Sequence, residues 1–202
     1  MIEIYGAVAS RAARNLWMLE ELGLEYELKE VSPGSEASKH ADYLRINPNG
    51  KVPAMVDGET VLWESMAINL YLAEKYGGLK PQSPEDWGRA CQWSFWGMLE
   101  AEAHLQNFLF HSVLLPEEKR KPDKVQTALT ALQKPLGVLN EALAGRDYLL
   151  DSGFSVADLN LAAIFSWGKM ARLDLSAYPN LRSWLNACLE RDAYRRVFPR
   201  KK

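Results

Sequence analysis

Asn47-Pro48-Asn49-Gly50-Lys51-Val52-Pro53-Ala54-Met55-Val56-Asp57-Gly58, followed one residue later by Thr60-Val61-Leu62-Trp63-Glu64-Ser65, is the stretch whose reading decides the fold. Turn formers deliver the chain into Val52-Pro53 and a short apolar strand. Pro53 has no N–H to give a ladder, so it marks a strand entrance or an edge. Asp57-Gly58 is a strong hairpin signal, and the return strand from Thr60 to Trp63 is β-branched and aromatic. Glu64-Ser65 stops that strand and opens a segment of helical spacing, residues 66–72. Ser65 is a good N-cap, and the free amides of the helix start favour an anion. Without any ligand, the same stretch is simply a strand, a hairpin and a capped helix.

On the N-terminal side, residues 2–5 alternate as a strand, and Gly6 to Ala9 form a loop of small residues. Ser10 precedes a helix over 11–22 that Gly23 closes, and residues 26–31 read as a second strand. A polar stretch then holds a short helix around 39–44. The order β-α-β, then β-β-α, over residues 1–78 is that of a thioredoxin-like α+β domain, a mixed sheet covered by helices.

Residues 77–84, Gly77-Gly78-Leu79-Lys80-Pro81-Gln82-Ser83-Pro84, read as a linker, and beyond them strand alternation disappears. Residues 85–202 form the expected second domain, an all-α helical bundle. Its first helix spans 85–115 and is dense in aromatics: Trp87, Trp93, Phe95, Trp96, Phe108 and Phe110. A charged loop over 116–124 follows. Val125, Leu129, Leu132, Leu136, Leu139 and Leu143 then mark an amphipathic helix with Pro135 inside it, where a kink is expected. Ser155-Val156-Ala157-Asp158 has the spacing of a capping box and opens an apolar, buried helix over 159–170. A further helix covers 180–189, and the tail carries Arg195, Arg196, Arg200, Lys201 and Lys202 as a basic segment.

The 202 residues are 48% hydrophobic and 25% charged, the balance of a chain that buries a core. A formal charge of −2 argues against general attraction to nucleic acid or an anionic membrane. No apolar run reaches bilayer length, and Met1 leads straight into a strand with no signal-peptide pattern. Cys91 and Cys188 lack C-x-x-C spacing and read as reduced thiols of a cytoplasmic protein. No His/Cys/Asp/Glu set has metal-ligand spacing.

The ordered set of Val52-Pro53, Asp57-Gly58 and Glu64-Ser65, with the Ser155-x-x-Asp158 box, resembles the cytosolic glutathione S-transferases, the theta-like and bacterial serine type in particular. The resemblance spans the whole chain. It implies a cis Val52-Pro53 bond, with the backbone of Val52 hydrogen-bonded to glutathione. It also implies that Glu64 and Ser65 hold the γ-glutamyl end, Glu64 against its ammonium and Ser65 with the helix start against its carboxylate. Lys51 and Asn49 lie close by in sequence. Lys39, His40 and Arg11 are candidates for the glycine carboxylate, although Leu44 stands where some classes carry a lysine or tryptophan. Ser10 takes the place of the catalytic serine. Tyr5 is the rival, since other classes use a tyrosine at the end of the first strand.

The implied activity is conjugation of glutathione, as co-substrate and with no other cofactor, to a small apolar electrophile. The aromatic run after residue 85 is a candidate lining for the electrophile's pocket. A glutathione-dependent isomerase or dehalogenase and a non-catalytic binding module are the alternatives. A two-fold homodimer is implied, with no nucleic-acid or membrane partner.

Such chemistry needs a thiolate. A free thiol of pKa ~8.5 is only about 3% ionised at pH 7. Lowering that pKa by about two units takes roughly 2.7 kcal/mol of selective stabilisation. A hydroxyl donating to the sulfur supplies ~1.5–3 kcal/mol and a helix N-terminus ~0.3–1. One well-placed hydroxyl at the start of the first helix is therefore enough.

Overall fold

A computed structural model describes residues 1–199; Arg200, Lys201 and Lys202 of the basic tail lie outside the described residues. The chain divides into two compact units. One is Met1–Lys80 together with the segment from Arg191, and the other is Pro81–Glu190.

In the first unit the elements run β1 (Ile2–Gly6), α1 (Ala12–Leu22), β2 (Tyr26–Glu30), α2 (Glu36–Lys39), α3 (Ala41–Ile46), β3 (Ala54–Asp57), β4 (Thr60–Trp63) and α4 (Ser65–Tyr76). The strand order is β2-β1-β3-β4. β1 and β2 are parallel, as a helical crossover allows, while β3 lies antiparallel to both β1 and β4. This is the thioredoxin-like order expected from the sequence. Ile4, Met18, Leu19, Met55, Ile68 and Leu72, from β1, α1, β3 and α4, are fully shielded from solvent and form its core. Gly23, left-handed at φ 65, ends α1 and returns its N–H to the carbonyls of Leu19 and Glu20.

The single short helix expected near 39–44 is two helices. His40 is extended (φ −66, ψ 143), so it ends α2, and its ring nitrogen accepts from the Asp42 N–H to cap α3. At the other end of the hairpin, Asp57 Oδ2 accepts from Lys75 Nζ at 2.7 Å, Tyr76 at 2.9 Å and Tyr71 at 3.0 Å. Burial pushes this carboxyl up, but the three donors, Lys75 foremost, outweigh it and hold Asp57 below the usual range.

The second unit contains α5 (Pro84–Trp96), α6 (Ala103–Leu109), α7 (Pro122–Ala142), α8 (Val156–Met170) and α9 (Pro179–Leu189). The expected continuous helix over 85–115 widens into π-helical turns at Gly97–Glu102 and Phe110–Leu114. At the first of these, Gly97 lies against α8. A Cβ there would stand 2.5 Å from Leu161 Cδ2 and 2.8 Å from Ile164 Cδ1, so any larger residue requires those two side chains to shift. Of the aromatic run, Phe108 enters the core with Leu109, Ala128 and Ala171, whereas Phe95 and Phe110 are exposed.

The charged loop expected over 116–124 contains a 3-10 turn, Glu117–Lys119, and α7 already begins at Pro122. α7 runs through Pro135 as one helix. α8 is buried over most of its length and opens with the expected capping box. Asp158 does more than cap. Its carboxylate accepts from the Ser155 N–H and hydroxyl, from the Leu149 N–H and from Trp184 Nε1.

The expected second domain, 85–202, needs correcting at its far end. The tail is not a plain basic segment: it forms α10 (Asp192–Val197), and the chain from Arg191 belongs to the first unit. There Tyr194 meets Trp17 of α1 edge-to-face, ring centroids 4.9 Å apart.

Candidate functional site

The site is built where β1 gives way to α1. Gly6 ends the strand, and a Cβ on it would stand 2.5 Å from the Ala12 Cβ, 3.5 Å from Ser10 Oγ and 3.6 Å from the Val52 Cβ. Glycine is thus required for α1 to start this close to the sheet, and Ser10 Oγ and the Val52 side chain both lie beside it. The Ser10 hydroxyl accepts from the Ala7 N–H at 3.3 Å and the Ala12 N–H at 3.1 Å, and donates to the Ala7 carbonyl at 2.7 Å. It therefore caps the first turn of α1 and is half-buried, with its proton turned inward.

The Val52-Pro53 bond is cis, as expected. Two side chains hold the residue before it: Tyr43 Oη and Asn47 Nδ2 both donate to the Lys51 carbonyl, at 2.5 and 2.7 Å. Asn47 also accepts from the Asn49 N–H, which shapes the turn. Gly50, at φ 60, brings the loop against the Ser38 carbonyl, so the 38–40 turn and Lys51 are neighbours. Lys39, His40 and Lys51 are all exposed there. Lys39 pairs with Glu36, and the His40 ring faces Asp42 at 3.3 Å.

Glu64 occupies the corner between β4 and α4 at φ 75, ψ 113, a conformation that L residues rarely adopt. Its side chain is exposed. Ser65 is only 2% exposed, and its hydroxyl accepts from Arg14 Nη1 at 3.2 Å. The solvent side of the corner is therefore carried by Glu64 and the first amides of α4. The Ser65 hydroxyl faces α1 and keeps its own proton to donate.

Tyr5 is placed differently from Ser10. Strand alternation sends it to the face opposite that of Gly6, where it packs with Tyr43, Val31 and Ala54. Its hydroxyl donates to Glu3 Oε2 at 2.7 Å. Burial and that carboxylate push its pKa up to about 12, so its proton is both occupied and tightly held.

Residues 2–74 match the glutathione S-transferase N-terminal domain, and residues 103–192 match the C-terminal domain of the same family. The chain belongs to the cytosolic glutathione S-transferases. A maize relative, glutathione S-transferase 3 of Zea mays, is 32% identical, the match covering 97% of this chain and 92% of that protein. The disulfide-bond oxidoreductase YfcG of Escherichia coli is 30% identical, over 91% of this chain and 88% of that protein. Among solved structures, the theta class glutathione S-transferase of Xanthomonas axonopodis pv. citri, with glutathione bound, superposes with a TM-score of 0.89. It is 32% identical, with 99% of this chain and 98% of that one covered.

A buried polar seam, which the sequence pattern did not announce, joins the α1 and α4 sides of the candidate site. Asn15 Nδ2 donates to the Ser65 carbonyl at 2.9 Å and to Asn69 Oδ1 at 2.7 Å, and Asn69 returns a bond to the Arg14 carbonyl. Arg14, Asn15 and Asn69 are all essentially buried. The signal was present in Arg14-Asn15 between Ala13 and Leu16, and in Asn69 between Ile68 and Leu70. Polar residues inside apolar helical runs have to find partners. Among the described residues no cluster has the make-up of a metal site, and no helix is long and apolar enough to cross a membrane.

Proposed function

We propose that this chain is a glutathione transferase in which Ser10 stabilises the glutathione thiolate for attack on a small, apolar electrophile. The observation that carries the proposal is the Ser10 hydroxyl at the start of α1, beside Gly6 and close to the Val52 that precedes the cis-proline. In this reading glutathione lies along the Val52-Pro53 edge with its main chain paired to Val52, and Glu64 faces its ammonium. The backbone amide of Ser65 and the other first amides of α4 face the γ-glutamyl carboxylate, and Lys39, His40 and Lys51 serve the glycine end. The thiol proton leaves to solvent, and the sulfur lone pair forms the new C–S bond as the electrophile's leaving group departs. Tyr5 is the weaker candidate because its proton is held by a charged carboxylate rather than a neutral carbonyl, and it lies on the face of β1 opposite Gly6.

The test is retention on immobilised glutathione, followed by turnover of an activated aryl halide, an epoxide and a small disulfide. Retention with conjugation supports the proposal. Retention with reduction of the disulfide alone favours an oxidoreductase, as in the Escherichia coli relative. Retention without turnover leaves a binding module.

We also propose a homodimer. Val61 and Trp63 on edge strand β4, Phe95 near the end of α5 and Leu99 in the π-helical turn after it are large apolar side chains left exposed in the single chain. Light scattering at micromolar concentration should give twice the 22.8 kDa chain mass. A monomer mass would overturn this part.

A further inference from the structure

Gly23 ends α1, but the charges of its last turn oppose the helix dipole. Glu20 and Glu21 place two carboxylates at the negative end of the helix dipole, and the last turn contains no basic residue. The compensating cations come from the far end of the chain. Arg191 Nε and Nη2 pair with Glu21 Oε1 and Oε2, both at 2.7 Å, a bidentate fork on a carboxylate whose side chain is 7% exposed. Arg196 pairs with Glu20 and also donates to its carbonyl. Trp17 Nε1 and Tyr26 Oη complete the two carboxylates, and Trp17 packs against Tyr194. The C-terminal half of α1 is thus held by α10 and the Arg191 before it through Arg191, Tyr194 and Arg196.

The opposite end of α1 carries Ser10. An 11-residue helix is about 16 Å long, so a tilt of only about 4° at the gripped end displaces the other end by roughly 1 Å. A misplacement of about 1 Å is enough to cost on the order of 100-fold in a positioned reaction.

We propose that Arg191 and Arg196 are positioning residues for thiol activation, acting through Glu21 and Glu20 on the direction of α1. The proposal rests on the Ser10 reading above. Neither arginine touches glutathione; each sets where the Ser10 hydroxyl and the α1 N-terminus lie relative to the sulfur.

The experiment compares the full-length wild type with Arg191→Gln/Arg196→Gln and with the charge swap Glu20→Arg/Arg196→Glu. It measures the pKa of bound glutathione by thiolate absorbance, kcat and KM for glutathione, and far-ultraviolet dichroism. The double variant should keep its helical signal and bind glutathione within about twofold. Its bound thiol should titrate about half a unit higher or more, with kcat at neutral pH falling about tenfold. The charge swap should recover most of that loss. In the wild type, going from 0.1 to 1 M salt, which shortens the Debye length from about 10 to about 3 Å, should move the thiol part-way toward the variant. The variant should be insensitive to the same change.

A variant that melts earlier yet keeps the wild-type thiol pKa and kcat overturns the proposal, because the clamp is then only a brace. If the double variant does not fold, Arg196→Gln alone and the wild-type salt series decide, and no movement in either overturns it. A wild type that binds glutathione with an unshifted thiol overturns the Ser10 reading and this proposal together. A lowered thiol pKa that ignores the clamp overturns this proposal alone.

Discussion

Removing the Ser10 hydroxyl should raise the pKa of bound glutathione by about one unit, less than an isolated hydrogen bond to an anion suggests. The hydroxyl proton is already used by the Ala7 carbonyl, 2.7 Å away. Turning it toward sulfur forgoes ~0.5–1.5 kcal/mol and gains ~1.5–3 kcal/mol from a charged acceptor. The difference centres on about 1 kcal/mol, close to one unit at ~1.36 kcal/mol per unit. If the wild-type thiol titrates near 6.5, Ser10→Ala lowers turnover about threefold at pH 7 and about eightfold at pH 6. Affinity for glutathione should change little, since Val52 and Glu64 lie at the other contacts. The variant also loses the cap on the Ala12 N–H, worth about 1 kcal/mol, or roughly 2–4 °C in melting temperature for a chain of this size. The assay is thiolate absorbance of the bound peptide against pH for wild type, Ser10→Ala and Tyr5→Phe. If Tyr5→Phe moves the curve and Ser10→Ala does not, tyrosine is the activating group. A shift well above two units for Ser10→Ala would show that the proton was never shared with Ala7, and the competition invoked here would be wrong.

Glu64→Gly should separate stability from binding. Glycine relieves the positive φ and raises the melting temperature by the equivalent of ~1 kcal/mol, while loss of the carboxylate weakens glutathione binding about tenfold. Calorimetry showing both quantities falling would contradict this. Asp158→Ala strips the acceptor from four donors around a fully buried carboxylate and should cost at least ~3 kcal/mol in urea unfolding. A loss under ~1 kcal/mol would mean the box is incidental. Asp57 is held below its unfolded pKa of ~3.9, so its contribution is complete above that pH and drains away as pH falls through the lower folded value. The melting-temperature gap between wild type and Asp57→Asn should therefore be flat from pH 7 to 5 and close below about pH 4. A gap that persists at pH 2.5 would assign it to packing instead.

The strands and most helices were legible because each carries its own local signal. Val52-Pro53, the Asp57-Gly58 turn, Gly23 after α1 and the Ser155 box are punctuation that acts within a few residues. What was not legible depends on distant partners. The π-helical turn at Gly97 is tied to Leu161 and Ile164, more than sixty residues on, and no periodicity in 85–115 reports that. Ser65 reads as an open cap from sequence, yet Arg14, fifty-one residues earlier, takes its hydroxyl. α10 is six residues of mixed charge with too little pattern to register, and its place is fixed by Glu20, Glu21 and Trp17. Ser10 was legible as a cap; the direction of its proton was not.

Because α10 completes the first unit, that unit is encoded in two pieces, and the second piece is synthesised only after all of residues 81–190. As the chain emerges from the ribosome, the sheet and α1 can form early, but the Trp17 face and the paired glutamates at 20 and 21 wait, uncovered, through the making of more than a hundred further residues. A chain stalled or cut within α9 would release a sheet domain with an aromatic face open to water and two uncompensated charges beside it, a natural target for chaperones and proteases. Whether synthesis has passed residue 191 is thus registered in the cover over α1.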